Sequence, residues 1–256
     1  MQTLQVSGQT LFYETLGAGD PLLLIHGFAQ VGRDLHLLAR ALAANYTVIL
    51  PDVPGYGRSA PPFRTFPADF YQRDAALLGA FLDSIGQKKV HILGFSDGGE
   101  IALLLPIARP DLCRTAIAWG AVGSFDRALC GQVRRRMTVS TIDDGIRSRH
   151  PGQNTDAWPD QWVDTFCAIA AAGGDVSLSR APEIACPVLL MDGSNDALNP
   201  AVDGQRFIDA VGCPHKRFEV FAGAGHYLHT EQPARFIRLV REFLRSPAGA
   251  EGRTLE

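Results

Sequence analysis

Three polar residues that lie far apart in the chain, Ser96, Asp196 and His226, each stand in a glycine-containing loop shortly after an apolar run. A serine hydroxyl is a poor nucleophile until a base takes its proton, and that base needs an acid to orient it. Serine, aspartate and histidine fill these roles in acyl transfer, and the chain order Ser, Asp, His is one in which they occur. The residues therefore predict a nucleophile (Ser96), an orienting acid (Asp196) and a base that carries the proton (His226).

The serine lies in the run V-H-I-L-G-F-S-D-G-G at residues 90–99. The apolar start of this run predicts a short buried strand, and an apolar helix is predicted at residues 100–108. A strand, a sharp turn and a helix around G-x-S-x-G are typical of a nucleophile elbow, in which a strained backbone at the serine exposes its hydroxyl. Gly94 and Gly98 have no Cβ, which would let the strand and the helix cross closely.

The base and the orienting acid each have a rival in the sequence. His229 lies three residues after His226, but on the helix side of the same loop. Asp192 directly follows a predicted strand, where its reach toward His226 is shorter than that of Asp196. We favour His226 and Asp196 and keep the other two residues as alternatives.

A carbonyl group that is attacked by serine develops negative charge on its oxygen, and each preorganised N–H donor stabilises that charge by about 3 kcal/mol. The backbone N–H of Asp97, at the start of the predicted helix, is one candidate donor. The second is expected at the N–H of Phe28, in the turn H-G-F-A that follows a predicted strand at residues 21–25. His26 is then expected to be a structural residue of that turn and not a base.

The side chain of Asp97 has two interpretations. A carboxylate in the first turn of a helix is favoured by the helix dipole, by roughly 0.3–1 kcal/mol. Next to the nucleophile, however, this carboxylate would repel the oxyanion by about 3 kcal/mol, for charges about 5 Å apart at an effective dielectric constant of about 20. A cationic group on the substrate would offset that repulsion and make charge the basis of selection. We favour this second interpretation, with a substrate ammonium group beside Asp97.

Short apolar runs alternate with helical patterns along most of the chain, which predicts a mostly parallel sheet covered by helices on both faces. An antiparallel hairpin is expected at the sheet edge in residues 3–16. An amphipathic pattern predicts a helix at residues 66–85. Further strands are predicted at 47–50, 115–119, 187–191 and 217–221, and further helices at 35–42, at 201–211 and from 232 onwards. Because parallel strands end at one edge of a sheet, the three loops with the candidate residues are expected to meet there.

Residues 123–183 break this alternation, because they contain helical fragments and no strand pattern. The segment falls between two predicted strands, so we expect a helical lid inserted into a core formed by residues 1–122 and 184–256. Trp158 and Trp162 lie one helical turn apart in this segment. They either pack the lid on the core or line the substrate pocket, and both are kept as candidate substrate-binding residues.

The composition excludes several classes of function. The formal net charge is −3, so the chain has no basic surplus with which to bind nucleic acid. No apolar window is long enough to span a membrane, and the first residues lack the pattern of a signal peptide. The five cysteines show no disulfide or zinc spacing. We therefore expect a cytoplasmic protein with free thiols, no metal, no cofactor, no nucleic-acid or membrane partner, and a small-molecule ester as substrate.

Several segments of the chain resemble one family of enzymes. They are P-P-F-R-T-F-P-A-D-F-Y-Q-R-D-A at 61–75, G-F-S-D-G-G at 94–99, A-W-G at 118–120, C-P-V-L-L-M-D-G-S-N-D at 186–196 and G-A-G-H-Y-L-H at 223–229. The chain is similar to enzymes of the α/β-hydrolase fold, and in particular to the valacyclovir hydrolase (biphenyl-hydrolase-like) group. This resemblance implies hydrolysis of α-amino-acid esters. It also implies that Ser96, Asp196 and His226 form the triad and that Asp97 is the acid that holds the free amino group.

The leading hypothesis is therefore a serine hydrolase that cleaves carboxylic esters through an acyl-enzyme and prefers esters with a free α-amino group. Within the same fold, the alternatives are a simple carboxylesterase, a carbon–carbon bond hydrolase and a cofactor-free perhydrolase, all acting on neutral substrates. A protein without enzymatic activity, such as a small-ligand receptor, is a further alternative that an intact triad disfavours.

Overall fold

The computed structural model describes residues 2–246, which form one eight-stranded sheet with helices packed on it. The strands are β1 (Gln2–Val6), β2 (Gln9–Leu16), β3 (Asp20–Ile25), β4 (Tyr46–Pro51), β5 (Val90–Phe95), β6 (Cys113–Trp119), β7 (Val188–Gly193) and β8 (Lys216–Phe221). Their order across the sheet is β1-β2-β4-β3-β5-β6-β7-β8. The pairs β1–β2 and β2–β4 are antiparallel and the other neighbouring pairs are parallel. The predicted mostly parallel sheet with an antiparallel hairpin at its edge is confirmed.

Helices cover both faces of the sheet, as the alternation of apolar runs and helical patterns predicted. The helices are α1 (His36–Leu42), α2 (Phe70–Ser84), α3 (Asp97–Ala108), α4 (Cys130–Arg136), α5 (Asp144–Arg149), α6 (Trp158–Ala171), α7 (Ala201–Ala210), α8 (Leu228–Glu231) and α9 (Pro233–Arg245). α1 and α9 pack on one face, and α2, α3 and α7 pack on the other. In β3, Leu22 and Leu24 pack on the side of α1 and α9, while Leu23 and Ile25 pack on the side of α2 and α3. Because successive side chains of a strand point to opposite faces, a strand buried on both faces has to be apolar throughout.

None of the helices within residues 2–246 has both the length and the apolar character that a membrane crossing requires. The longest of them, α2, has 15 residues, whereas a crossing takes about 20.

Helix α2 begins later than the amphipathic pattern predicted. It starts at Phe70, and Phe66 lies outside it. Pro67 explains the difference, because a proline ring disfavours helical backbone in the residue that precedes it. The N–H of Phe70 donates to the carbonyl of Pro67 (2.9 Å), so the helix forms only after the proline.

Residues 123–183, which we call the insertion, lie between β6 and β7 and contain α4, α5 and α6. An isolated antiparallel bridge between Ser124 and Asp175 joins the two ends of this segment. Its function as a lid, and the division of the chain into a lid and a core, stay predictions. Residues 1 and 247–256 of the predicted core lie outside the described residues.

Candidate active site

Ser96 stands in a sharp turn between β5 and α3. Its backbone angles are φ 54° and ψ −120°, a strained conformation for a residue that has a side chain. A Cβ on Gly94 would lie 1.9 Å from the carbonyl oxygen of Gly98, and a Cβ on Gly98 would lie 2.4 Å from that of Ile25. The strand and the helix therefore cross as closely as the glycines of the sequence indicated, and the turn between them carries the serine.

The structure brings the three predicted residues together at the carboxyl edge of the sheet. Nε2 of His226 is 3.0 Å from Oγ of Ser96, and Nδ1 of His226 is 2.7 Å from Oδ2 of Asp196. With the proton on Nδ1, His226 donates to the carboxylate and keeps Nε2 as an acceptor for the serine proton. The arrangement has the geometry that the predicted roles require.

Several groups hold the carboxylate of Asp196. Oδ1 accepts hydrogen bonds from the N–H groups of Leu198 (2.8 Å) and Asn199 (3.2 Å). Burial alone would raise the pKa of Asp196, but the hydrogen bond and charge of His226, together with these two N–H groups, hold the pKa below its usual value. The side-chain amide of Asn199 is a further neighbour, 3.4 Å from both Oδ2 of Asp196 and Nδ1 of His226. Asp196 therefore stays ionised and can orient the imidazole.

The two rival residues have other environments. Nδ1 of His229 accepts a hydrogen bond from the indole N–H of Trp119 (3.0 Å), and burial lowers the pKa of His229 to about 4. Asp192 is fully buried against α7, where a Cβ on Gly204 would lie 2.3 Å from its Oδ2. Within residues 2–246, neither rival forms a hydrogen bond with Ser96 or His226, which favours the first assignment.

The backbone around Ser96 offers donors for an oxyanion. The first hydrogen bond of α3 runs from the N–H of Glu100 to the carbonyl of Ser96 (3.0 Å), which leaves the N–H of Asp97 without a partner in the helix. The turn after β3 lies against the serine, since a Cβ on Gly27 would be 3.0 Å from the Cβ of Ser96. Phe28, the next residue, borders the same cavity as Ser96. These positions are compatible with the predicted donor pair of Phe28 and Asp97.

His26 holds the turn that carries Phe28. Its Nε2 accepts a hydrogen bond from the N–H of Val53 (2.9 Å), and its Nδ1 donates to the carbonyl of Gly27 (2.9 Å). Burial lowers the pKa of His26 to about 3, so the ring is neutral. His26 is therefore a structural residue, because both ring nitrogens are bound to the backbone.

Asp97 is buried beside the nucleophile and has one free carboxylate oxygen. Oδ1 accepts hydrogen bonds from the hydroxyl of Tyr71 (2.7 Å) and the indole N–H of Trp162 (3.1 Å). Oδ2 has no hydrogen-bond partner in the described part of the chain. Burial raises the pKa of Asp97 to about 6, although the two donors oppose the shift. A buried carboxylate oxygen without a partner is unfavourable unless a ligand supplies one.

Two cavities meet at Ser96 and His226. The larger has a volume of about 520 Å³ and extends from the turn of Phe28 to the insertion. The smaller, of about 20 Å³, is bordered by Asp97 and by Ser96 and His226. Because the nucleophile borders both, an ester whose carbonyl group lies at Ser96 can place one part in each cavity.

The two tryptophans of the insertion lie in different surroundings. Trp162 borders both cavities and donates to Asp97. Trp158 borders neither cavity, and its ring packs against the rings of Tyr56 and His150, with centroids 5.1 Å and 4.9 Å away. These contacts favour the alternative that Trp158 packs the insertion on the core, and a contact of Trp158 with the substrate stays a prediction. Four residues advance a helix by about 6 Å, which carries Trp158 past the cavity to the loop of Tyr56.

Three further residues of the site were not singled out from the sequence: Tyr71, Glu100 and Asn199. Tyr71 lies in the segment 61–75, on which the family resemblance depends, and that segment could have pointed to it. Glu100 directly precedes the apolar run 101–107, and this position in the sequence could have indicated that its acidic side chain is buried. No pattern in the sequence indicates Asn199, because its contacts come from the packing of two loops.

Comparisons with known proteins agree with this fold. The model of the Alpha/beta hydrolase family matches residues 22–239. The human protein named Serine hydrolase BPHL is 30% identical over 255 residues, which cover 93% of this chain and 84% of the human one. A Pseudomonas putida protein named 2-hydroxy-6-oxononadienedioate/2-hydroxy-6-oxononatrienedioate hydrolase 2 is 28% identical over 91% of each chain. The solved structure of a thermophilic esterase from Thermogutta terrifontis has a TM-score of 0.71 at 25% identity and covers 96% of this chain and 98% of that one.

Proposed function

The chain belongs to the alpha/beta hydrolase family and is a hydrolytic enzyme, and we propose that it cleaves carboxylic esters of α-amino acids through an acyl-enzyme on Ser96. The single observation that carries this proposal is the carboxylate of Asp97, buried next to the nucleophile with Oδ2 unpartnered in the described residues. A substrate with a free α-ammonium group would supply the missing partner.

In the acylation step, Oγ of Ser96 attacks the carbonyl carbon of the ester while Nε2 of His226 takes the hydroxyl proton. Asp196 accepts the hydrogen bond from Nδ1 and stabilises the imidazolium that forms. The carbonyl oxygen becomes an oxyanion, for which the N–H groups of Phe28 and Asp97 are the proposed donors, each worth about 3 kcal/mol. The intermediate collapses when the bond to the alcohol oxygen breaks, and the alcohol leaves with the proton from His226.

In the deacylation step, a water molecule attacks the carbonyl carbon of the acyl-enzyme, and Nε2 of His226 takes one of its protons. The same two N–H groups stabilise the second oxyanion. The bond to Oγ of Ser96 then breaks, Oγ regains its proton from His226, and the amino acid leaves. The two steps together consume one ester and one water and return the enzyme to its starting state.

An α-ammonium group accounts for a carboxylate beside the nucleophile. An ionised Asp97 about 5 Å from the oxyanion would oppose its formation by about 3 kcal/mol at an effective dielectric constant of about 20. The α-nitrogen of an amino-acid ester is one carbon away from the carbonyl carbon, so it can reach only groups close to Ser96. The cavity of about 20 Å³ that Asp97 and Ser96 border is large enough for this nitrogen. Its positive charge would cancel the repulsion and stabilise the intermediate.

We propose that the insertion forms a lid over the larger cavity, which would then hold the alcohol part of the ester. Six residues at the border of this cavity belong to the insertion: Met137, Thr141, Asp143, Ile146, Arg149 and Trp162. A lid of this kind excludes water from the acyl-enzyme until the alcohol has left.

We also propose a cytoplasmic location. The five cysteines are all free thiols, and free thiols are the usual state in a reducing compartment.

A carbon–carbon bond hydrolase is the alternative that the comparisons bring forward. The Pseudomonas putida relative is named for a dioate, which carries two carboxylates. Such a substrate would bring its negative charge to a site where Asp97 and Glu100 are already buried. Like charges placed together cost several kcal/mol, so these two residues favour a cationic substrate.

The substitution Asp97→Asn tests the role of the carboxylate. The benzyl esters of glycine and propionic acid have acyl groups of the same size, with an ammonium group in one and a methyl group in the other. We expect the wild-type enzyme to prefer the glycine ester in kcat/KM. We expect Asp97→Asn to lose about 100-fold on that ester, since a charged hydrogen bond contributes up to about 3 kcal/mol. On the propionate ester the rate should be unchanged or higher, because the substitution also removes the repulsion between the carboxylate and the oxyanion. Release of benzyl alcohol measures both rates.

Asp164→Asn is the matched control for this experiment. It removes the same charge from an exposed position on α6, where Asp164 pairs with Arg134, and it should leave both rates unchanged. An equal loss on both esters in Asp97→Asn would contradict the proposal, and so would a wild-type enzyme that prefers the propionate ester.

A further inference from the structure

Glu100 is a buried acid that the proposed reaction does not use. It lies one helical turn after Asp97 in α3, so the two side chains are neighbours on the surface of that helix. The seven residues that follow it are apolar, and Glu100 itself is 2% exposed. Glutamate is rarely buried without a partner, and this burial therefore calls for a physical reason.

One oxygen of Glu100 has structural partners and the other has none. Oε1 accepts hydrogen bonds from the backbone N–H groups of Val122 (3.0 Å) and Gly123 (3.1 Å), which tie α3 to the loop that follows β6. Oε2 is buried and has no hydrogen-bond partner within residues 2–246. The two backbone hydrogen bonds therefore account for the burial of Oε1, whereas Oε2 can still accept a hydrogen bond from a ligand.

The free oxygens of Glu100 and Asp97 belong to residues that border the same small cavity. Four aromatic residues form much of its wall: Tyr71, Phe125, Trp162 and Phe166. Its volume of about 20 Å³ is room for one water molecule or one ammonium group. Aromatic rings also attract cations, so the cavity has the size, the carboxylates and the walls that suit a primary ammonium group.

We propose that Glu100 is a second carboxylate of the ammonium subsite and makes the enzyme select primary α-amines over N-methylated ones. This inference rests on the proposed function, because it concerns the same ammonium group. A primary ammonium has three N–H donors and can donate to Oδ2 of Asp97 and Oε2 of Glu100 at the same time. An N,N-dimethylammonium group keeps a single N–H and can donate to only one of the two carboxylates. Each methyl group also adds a volume that a cavity of about 20 Å³ cannot hold.

The charges around the subsite are compatible with one bound cation. Burial raises the pKa of Glu100 to about 7 and that of Asp97 to about 6, so the empty subsite retains a proton for much of the time near pH 7. Other charged groups that act on the pair are Asp175, Asp74, Asp192 and Arg64, and two hydrogen bonds hold Arg64 on Asp74. A bound ammonium group takes the place of the retained proton.

The test compares wild type with Glu100→Gln on the benzyl esters of glycine, N-methylglycine, N,N-dimethylglycine and propionic acid. Glutamine keeps the oxygen that accepts from Val122 and Gly123, but its NH₂ group cannot accept a hydrogen bond from an ammonium. We expect wild type to prefer glycine over N,N-dimethylglycine by about 10-fold or more in kcat/KM, because the dimethyl ester loses one charged hydrogen bond and also carries extra volume. Glu100→Gln is expected to lose about 10-fold on glycine, mainly through a higher KM, and to reduce this preference by the same factor, because neither ester can then donate to a second carboxylate. The rate on the propionate ester, which has no ammonium group, should not fall.

Glu183→Gln is the matched control, because it removes the same charge from an exposed site where Glu183 pairs with Arg180. Titration of the reactive serine with a fluorophosphonate puts all rates on the same scale of active enzyme. A purely structural role of Glu100 would lower the rates of all four esters together, and that result would overturn the proposal. An unchanged ratio of the glycine rate to the N,N-dimethylglycine rate in Glu100→Gln would overturn it as well.

A measurement on the wild-type enzyme keeps the proposal testable if Glu100→Gln does not fold. Ethylamine, diethylamine and triethylamine, all cationic at pH 7, are compared as competitive inhibitors of propionate ester hydrolysis. Inhibition is expected to weaken in that order, and equal or reversed inhibition would contradict the proposal.

The two proposals fail in different ways. If Asp97→Asn removes the preference for the glycine ester over the propionate ester and Glu100→Gln leaves that preference intact, Glu100 does not bind the ammonium group and the proposed function stands. If the wild-type enzyme shows no preference for the glycine ester over the propionate ester, both are wrong.

Discussion

Two adjacent residues, Ser96 and Asp97, combine attack and selection in the proposed reaction. The positive φ of Ser96 turns the chain so that its Oγ lies 3.0 Å from Nε2 of His226. In the proposal, Asp97 donates its backbone N–H to the oxyanion, and its carboxylate accepts a hydrogen bond from the substrate ammonium group. Because neighbouring residues carry both roles, a substrate whose ammonium group is bound has its carbonyl carbon within reach of the nucleophile.

The substitution Ser96→Ala is expected to lower kcat by at least about 10⁴-fold, because binding and the oxyanion donors alone remain. Covalent labelling by a fluorophosphonate, detected by mass spectrometry, should be lost as well. Ser84→Ala on α2 is the control, since the hydroxyl of Ser84 only donates to the carbonyl of Ala80. Labelling of Ser96→Ala at the wild-type level would mean that another residue is the nucleophile, and a wild-type enzyme that is never labelled would favour the receptor alternative.

At the scale of elements, the crossing of β5 with α3 sets the position of the site. The parallel strands bring the loops of Ser96, Asp196 and His226 to one edge of the sheet. Helix α3 then presents Asp97 and Glu100 one turn apart to a single cavity. The insertion adds Trp162, whose indole N–H fixes one oxygen of Asp97. A small shift of α3 against the sheet would therefore move both acids and one oxyanion donor together.

The substitution Gly98→Ala tests how tightly this crossing is packed. The new Cβ would lie 2.4 Å from the carbonyl oxygen of Ile25, which is backbone and cannot rotate away. We expect the variant to lose about 3 kcal/mol or more of stability and to lose activity with it. Thermal unfolding and ester hydrolysis measure the two effects.

Gly131→Ala in α4 is the matched control for this substitution. Its Cβ would have its nearest neighbour at 3.5 Å, and alanine is favoured over glycine in a helix by about 1 kcal/mol, so its Tm should be unchanged or higher. A wild-type Tm in Gly98→Ala would show that the helix can move and that the close crossing is not required.

The chain as a whole is only slightly acidic, but several of its acidic residues are buried close together at one edge of the sheet. Its formal net charge is −3, yet Asp97, Glu100 and Asp192 are all buried near the triad, and burial raises the pKa of each. A buried ionised carboxylate without a partner lowers the stability of the folded chain. In the proposed function, the fold gives up some stability to keep Asp97 and Glu100 ready for a cationic ligand, as active sites commonly do.

The substitution Asp97→Asn should show this loss of stability through its pH dependence. The pKa of Asp97 is about 6 in the folded chain, against 3.8 for an unperturbed aspartate, the value taken for the unfolded chain. Between pH 3.8 and about pH 6 the folded chain therefore holds a proton that the unfolded chain has lost. Asp97 therefore favours folding at low pH, and this contribution is lost as the pH rises through about 6. A shift of about two pKa units corresponds to about 3 kcal/mol. Asp97→Asn is expected to raise the Tm at pH 8 and to leave it nearly unchanged at pH 4.

Calorimetry of wild type, Asp97→Asn and the surface control Asp164→Asn measures this effect. A change in Tm that is the same at both pH values in Asp97→Asn would mean that the carboxylate of Asp97 is already ionised at pH 4.

The fold class and the residues of the proposed triad can be predicted from the amino-acid sequence alone, since each depends on local pattern. Strand, turn and helix around G-x-S-x-G form within ten residues, and two glycines without Cβ atoms are enough to predict the close crossing that the structure has. The alternation of apolar runs and helices predicts parallel strands, and parallel strands place their following loops at one edge. Helix α2 begins later than its amphipathic pattern predicts, because Pro67 disfavours helical backbone at Phe66.

The partners of the buried carboxylate oxygens depend on three-dimensional packing and could not be predicted from the sequence. Tyr71 and Trp162 reach Asp97 from 26 and 65 positions away, and no periodicity in the sequence indicates such contacts. The two tryptophans of α6 look alike in sequence, yet a displacement of about 6 Å along the helix separates one that borders the cavity from one that packs on Tyr56. The packing of distant segments sets burial and hydrogen bonding at the site. It leaves Oδ2 of Asp97 and Oε2 of Glu100 without a hydrogen-bond partner in residues 2–246, so that a ligand can supply one.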